Sequence, residues 1–175
     1  MGKTAAELMA ELEKDEKYQA KKLVRDAHFS KLQEMYKQNQ KQLIRELNSA
    51  GFKVNSVWDF VNSKNNYMEA ESILVRHLKQ KYHPRILSGI ARSLAVPEFS
   101  DNNELWERLT ELYSETPSDK ETDIPEERGT QEAIAVAIEV LATDDRKEDL
   151  KKLIEQNPNG DCIDWLKDKL LIISG

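Results

Sequence analysis

Residues 67–96, YMEAESILVRHLKQKYHPRILSGIARSLAV, predict two helices that fold back on each other across a Tyr-His-Pro turn. Pro84 cannot continue the first helix. It suits the first turn of a new one, where its fixed φ is favourable and its missing N–H would have had no partner. The turn is therefore expected at His83 and Pro84, and the second helix should end at Val96 because Pro97 follows.

Both helices of this hairpin carry an apolar stripe. Asn66 can cap the first helix, and Glu69 can complete a capping box with it. Apolar residues at helical spacing predict that each helix buries one face in a common core. They are Ile73, Leu74, Leu78 and Tyr82 in the first helix, and Ile86, Leu87, Ile90, Ala91 and Leu94 in the second.

The composition favours an all-α protein. The chain has 175 residues, of which 39% are hydrophobic and 33% are charged, with six glycines and five prolines. Few helix breakers combined with many charges are typical of helices that have strongly solvated outer faces. The length suits one compact unit with a core of ordinary size.

The N-terminal part of the chain contains no helix breaker from residue 4 to residue 48. One long helix, or two helices in line, should end at Gly51, which looks like a C-terminal cap. Its first half is sparsely apolar, so only the second half is expected to join the core. We therefore divide the chain into a long N-terminal helical segment, 1–50, and a helical repeat domain, 51–175.

Further helices are expected after the central hairpin. Residues 115–129 form a charged loop with few apolar residues, which we expect to be mobile. The helix that follows this loop is apolar on nearly every side and should be the most enclosed. The predicted helices begin near Asp101, Thr130, Arg146 and Asp161.

The segment 84–95, PRILSGIARSLA, resembles the second helix of a HEAT repeat. It has a proline and a basic residue at its start, small residues facing the neighbouring helix and apolar residues at its end. The resemblance extends over about residues 67–173, and the arrangement is similar to small bacterial proteins built from HEAT-like hairpins. It implies a short α-solenoid of about three hairpins, with a concave surface and no particular chemistry. The last helix departs from the pattern because Trp165 stands where a small residue is expected.

Cysteine content and hydropathy indicate a cytoplasmic protein without membrane association. Cys162 is the only cysteine, which excludes an internal disulfide and fits a reducing compartment. No apolar run approaches the roughly 18 residues of a membrane span. The N-terminus lacks the apolar stretch of a signal peptide.

No catalytic or metal-binding pattern is found in the sequence. His28, His77 and His83 have no paired spacing, and no phosphate-binding loop, dinucleotide fingerprint or serine elbow occurs. Cys162 stands at the start of a helix, where the dipole can lower a thiol pKa, but a single cysteine is commonly a small core residue. We expect no enzyme activity, no metal and no cofactor.

Charge is unevenly distributed along the chain, whose net charge is −6. Residues 17–45 hold eight basic and two acidic residues, whereas residues 97–130 hold eleven acidic and three basic ones. The basic stretch can meet nucleic acid or an acidic partner, and the acidic stretch can hold a basic protein. The alternative is a solvated helix face and a solvated loop.

The leading hypothesis is a scaffold that binds a protein or an acidic peptide on its concave face. Arg85, Ser88 and Arg92 share one helix face at spacings of three and four. Pairing of these arginines within the molecule is the alternative. One alternative function is nucleic-acid binding or repair through the basic N-terminal helix, and another is self-association through residues 4–27. The candidate binding residues are His83, Arg85, Ser88, Arg92, Arg128 and Gln131.

Overall fold

Helices account for the architecture. A computed structural model describes residues 3–61 and 67–175, and within these ranges it is all-α, with no strand. Short 3₁₀ turns precede three of the helices. The helices are α1 (Ala5–Leu12), α2 (Glu16–Asn39), α3 (Lys41–Ser49), α4 (Trp58–Val61), α5 (Glu71–Leu78), α6 (Pro84–Ser93), α7 (Asn103–Glu115), α8 (Thr130–Leu141), α9 (Lys147–Gln156) and α10 (Ile163–Ile172).

The chain divides into two compact units, Met1–Gln38 and Asn39–Gly175. This division falls earlier than the boundary between 1–50 and 51–175 that the sequence suggested. The physical reason is that α3 belongs to the core of the second unit, where it buries Leu43 and Leu47 completely.

The first unit holds two helices that cap their own ends. Thr4 and Glu7 form a capping box at the start of α1. The carboxylate of Asp15 accepts hydrogen bonds from the backbone N–H groups of Lys17 and Tyr18, so α2 begins anew instead of continuing α1. No residue along the 24 residues of α2 is buried.

In the second unit the helices make contacts in two rows. In one row α3 packs against α5, α5 against α7, and α7 against α9; in the other, α4 packs against α6, α6 against α8, and α8 against α10. Contacts also join α5 to α6, α7 to α8, and α9 to α10. The apolar helix α8 touches α6, α7 and α10, which agrees with its prediction as the most enclosed helix.

The central hairpin forms, but its first helix ends at Leu78, so Tyr82 lies in the connection before α6 and not in the helix as predicted. Pro84 occupies the first turn of α6, and His83 caps this helix. Leu74, Leu78 and Ile90 are fully buried. The predicted cap Asn66 lies outside the described residues, and α6 ends at Ser93, slightly before the predicted limit.

The charged loop of residues 115–129, which we expected to be mobile, is closed into turns by its own side chains. Glu121 accepts a hydrogen bond from the backbone N–H of Ser118, and Asp119 accepts one from that of Gly129. Gly129 has a positive φ of 73° and leads directly into α8. Glycine adopts this conformation at little cost, so the loop can turn sharply into the helix.

Candidate functional site

An exposed arginine stacked on an indole ring stands at the start of α6. The Arg85 guanidinium lies 4.9 Å from the centroid of the Trp58 ring, which belongs to α4. The contact depends on Gly89, because a Cβ there would stand 2.5 Å from Val57 Cγ1 and 3.0 Å from Trp58 Nε1. Gly89 therefore allows α4 to approach α6 closely and to present Trp58 to Arg85.

Arg92 lies further along α6 and is paired within the molecule. Its Nη2 donates a hydrogen bond to Glu132 Oε1 of α8 at 2.9 Å, and its side chain is one-third exposed. Arg85, by contrast, forms no ion pair with any carboxylate of the described residues, although it is exposed. The two arginines thus differ in the charge they can offer a partner.

Ser88 and Gln131, two of the predicted binding residues, are buried and bonded inside the molecule. Ser88 Oγ donates to the Pro84 carbonyl at 2.9 Å. Gln131 Nε2 donates to the carbonyls of Tyr113 and Thr116, and its Oε1 accepts from the Asp161 N–H at 2.7 Å. Gln131 thus connects α8 to other segments, and neither side chain faces solvent, where a partner would bind.

His83 and Arg128, the remaining predicted binding residues, differ in their surroundings. His83 Nδ1 accepts a hydrogen bond from the Arg85 backbone N–H at 3.2 Å, and the His83 backbone N–H donates to Asn39 Oδ1. Burial lowers the pKa of His83, and nearby Glu126 partly opposes this effect. Its imidazole therefore serves α6 as a neutral cap. Arg128 is exposed in the loop before α8.

Cys162 lies near the Arg92–Glu132 pair and is not an activated thiol. Burial raises its pKa to about 11, and the negative charges of Glu132 and Asp161 add to the effect while Arg92 opposes it. The raised pKa is the opposite of the lowered thiol pKa that a position at a helix start can produce. The backbone at Cys162 is left-handed, with a φ of 56°, where it leads into α10.

A second polar cluster surrounds His77, whose side chain is fully buried. Its Nε2 lies 3.1 Å from Glu46 Oε2, and its Nδ1 meets the hydroxyl of Tyr82. Arg76 donates to the same Glu46 oxygen. Hydrogen bonds from His77 and Gln42 lower the pKa of Glu46 to about 2.

Histidine between a carboxylate and a hydroxyl is an arrangement used in acid–base catalysis, but here no substrate can reach the ring. Both ring nitrogens already have partners, and none of the ring is exposed. The cluster connects α3 to α5 and to the turn before α6. Its role is therefore structural.

A groove runs between α7 and α9, with a volume of about 370 Å³. Acidic side chains, Lys152 and Trp106 line it, and the Arg146 guanidinium lies 4.8 Å from the centroid of the Trp106 ring. The groove contains neither a buried, unsatisfied polar atom nor a recognisable anchor. We assign it no ligand.

Sequence reasoning missed Trp58 and Glu132 as members of the α6 surface. Trp58 is half-buried and carries Arg85. The available signal was Gly89, whose position within a helix indicates close approach by a neighbouring element. It did not indicate which residue would approach.

Within residues 3–61 and 67–175, no three His, Cys, Asp or Glu side chains gather in a way that could hold a metal ion. None of the helices in these ranges combines the length and apolar character needed to cross a membrane. Comparison of the chain with protein-family models, curated proteins and solved structures gave no match.

Proposed function

We propose that residues 39–175 form a short HEAT-like α-solenoid that acts as a non-enzymatic binding scaffold. Its binding face would be the concave side, built by α4, α6, α8 and α10. The order of contacts supports this proposal, because each successive pair of helices adds one helix to each row. Helical repeats stack in this manner, with every unit touching its neighbours.

The partner we propose is an acidic segment of another protein, and the observation that carries the proposal is the Arg85–Trp58 stack. A guanidinium held on an indole ring has already lost much of its side-chain freedom, while its N–H groups remain able to bind a carboxylate bidentately. Arg92 is already paired with Glu132 and is expected to contribute less to the affinity for the partner. Arg85 is therefore the proposed anchor.

Fluorescence anisotropy with labelled acidic peptides, selected from a random library for binding to the wild-type protein, tests the proposal. We expect Arg85→Glu to weaken binding at least about tenfold, as substitution of an anchor residue does. Arg85→Lys should give an intermediate loss, because lysine keeps the charge but not the planar fork.

Lys151→Glu is the matched control, since it makes the same change of charge at an exposed position on α9, in the other row of helices. It should leave the affinity unchanged. Equal losses of affinity for Arg85→Glu and Lys151→Glu would show that only the net charge of the protein matters. An unchanged affinity for Arg85→Glu would exclude the proposed face.

Nucleic-acid binding, including a repair-related role, is the second candidate, and the exposure of α2 favours it. All the basic side chains of this helix are exposed: Lys17, Lys21, Lys22, Arg25, Lys31 and Lys37. Contacts to phosphates would make the affinity fall steeply with salt. Gel-shift titrations at two salt concentrations should show this, and Lys21→Glu with Lys22→Glu should abolish binding while Arg85→Glu does not.

A further inference from the structure

The charged loop before α8 lies at the same end of the second unit as the start of α6. Ser88 Oγ of α6 lies 3.3 Å from Thr130 Oγ1 of α8. One turn further along α6, Arg92 is bonded to Glu132 of α8 at 2.9 Å. The two contacts follow in the same order along both helices, so α6 and α8 run in the same direction. Their N-terminal ends are neighbours, and the loop that leads into α8 therefore lies beside the first turn of α6.

Hydrogen bonds hold this loop in place. Asp119, Glu121 and Glu127 each accept a hydrogen bond from another residue of the loop. The Asp119 backbone N–H also donates to Asp161 Oδ2 at 2.9 Å, which fastens the loop to the segment before α10. Because these carboxylates serve the loop itself, the loop keeps its negative charge at a fixed place beside α6.

Two further carboxylates of the loop, those of Asp123 and Glu126, point to a role towards a partner. Both residues are exposed, and neither side chain forms a hydrogen bond or an ion pair with residues 3–61 or 67–175. Burial lowers the pKa of His83, and the negative charge of Glu126 opposes this effect. The imidazole of His83 in turn accepts a hydrogen bond from the Arg85 backbone N–H. The negative charge of the loop thus acts at the start of α6, where Arg85 stands.

We propose that Asp123 and Glu126 determine which acidic segments Arg85 accepts, by repelling partners that carry further negative charge on the side of α8. This inference rests on the proposed binding of an acidic segment at Arg85. Like charges brought close together oppose binding, and such repulsion selects among partners that share the same attractive contact. The favoured partner has an isolated carboxylate. Nucleic acid, which carries a charge at every phosphate, is disfavoured at this face.

Helix geometry gives the spacing at which the repulsion acts. Packed helices lie about 8–10 Å apart. An extended segment advances about 3.3 Å per residue. In a segment that crosses from α6 to α8, a residue three or four positions from the carboxylate bound to Arg85 therefore lies over the loop. A glutamate at that position meets the charges of Asp123 and Glu126, whereas a lysine is attracted by them.

Fluorescence anisotropy with the acidic peptides selected for wild-type binding tests this inference in the full-length protein. One peptide whose affinity depends on Arg85 is made in matched versions, with glutamate or lysine three and four residues to either side of its essential acidic residue. At about 20 mM salt, where screening is weak, we expect the wild type to bind the lysine version at least about fivefold more tightly on one side. Asp123→Asn with Glu126→Gln should reduce this preference to less than about twofold.

Glu148→Gln with Glu155→Gln is the matched control, because it removes the same charge from exposed positions on α9. It should keep the wild-type preference, and circular dichroism should show an unchanged fold for both double variants. An equal loss of preference in this control would overturn the inference, since net charge would then be responsible.

A peptide that needs Arg85 separates this inference from the proposed function. If the wild type does not distinguish the lysine and glutamate versions of such a peptide, or if the variant at Asp123 and Glu126 keeps the full preference, the loop has no selective role. The inference is then wrong while the proposed face stands. If Arg85→Glu weakens no selected peptide, the proposed face is wrong and the inference falls with it.

Discussion

At the scale of single residues, Gly89 sets the distance between α4 and α6. Alanine would gain about 1 kcal/mol of helix propensity. Its Cβ would stand 2.5 Å from Val57 Cγ1, a side chain that is fully buried and cannot move away freely. Overpacking of this kind costs about 1–3 kcal/mol, so the steric cost exceeds the gain.

We therefore expect Gly89→Ala to lower the free energy of unfolding by about 1 kcal/mol, measured by urea denaturation. The variant should also weaken acidic-peptide binding, because displacement of Trp58 disturbs the ring on which Arg85 rests. Ser72→Ala, at an exposed position of α5, is a control in which alanine adds helix propensity without a steric cost, although its gain is smaller than that from glycine. A more stable Gly89→Ala variant would contradict the close packing.

Glu46 gives the fold a pH dependence in the acid range. Its pKa is lowered from 4.5 to about 2 by the hydrogen bonds from His77 and Gln42. A depressed carboxylate pKa stabilises the folded protein fully above the unfolded value of 4.5, and this contribution is lost as the pH falls towards 2. The sign follows because the unfolded chain binds the proton first.

We expect Glu46→Gln to be less stable than the wild type at neutral pH and to lose less stability between pH 4.5 and pH 2. Urea denaturation at several pH values measures both effects. Glu155→Gln, on the exposed side of α9, should follow the wild-type curve. Parallel curves for Glu46→Gln and the wild type would show that the network does not favour the ionised carboxylate.

At the scale of helices, local signals in the sequence were sufficient to find the central hairpin. Pro84 begins α6, and its effect depends only on its own ring and on the adjacent backbone. The surface of α6 was harder to predict. Ser88 and Gln131 are polar and were assigned to an open face, but both are buried.

The difference arises from hydrogen bonds that link residues far apart in the sequence. A buried polar side chain is tolerated when its groups are satisfied. Gln131 is satisfied by the backbones of α7 and of the segment before α10. Similarly, the stack of Arg85 on Trp58 depends on which helix packs against Gly89. Periodicity reports which residues share a face, but not which neighbour covers it.

Gln131 gives a prediction for the junction of three helices. Gln131→Leu leaves two carbonyl groups and the Asp161 N–H without their partner, and unsatisfied buried groups cost about 1–3 kcal/mol each. We expect a loss of stability within or above that range and faster amide exchange at Asp161. Gln156→Leu, at an exposed position of α9, should change neither the free energy of unfolding nor the amide exchange at Asp161. If Gln131→Leu also left both unchanged, water would have replaced the lost hydrogen bonds.

At the scale of the whole molecule, the two units differ in how they are stabilised. Every buried hydrophobic residue of the described part lies between Leu43 and Leu166, within the second unit. The first unit depends on helix caps and surface ion pairs, which contribute little to stability individually. Helices without tertiary packing are marginal in water, even at favourable lengths.

We expect a fragment of residues 39–175 to unfold cooperatively at nearly the melting temperature of the full chain, because the core is retained completely. A peptide of residues 1–38 should be only partly helical. Trypsin should cleave the full chain first within residues 1–38, at lysines such as Lys21 and Lys22. Thermal circular dichroism of the three samples and mass spectrometry of the early fragments provide the measurements. A fragment 39–175 that melts well below the full chain would instead show that residues 1–38 stabilise the core.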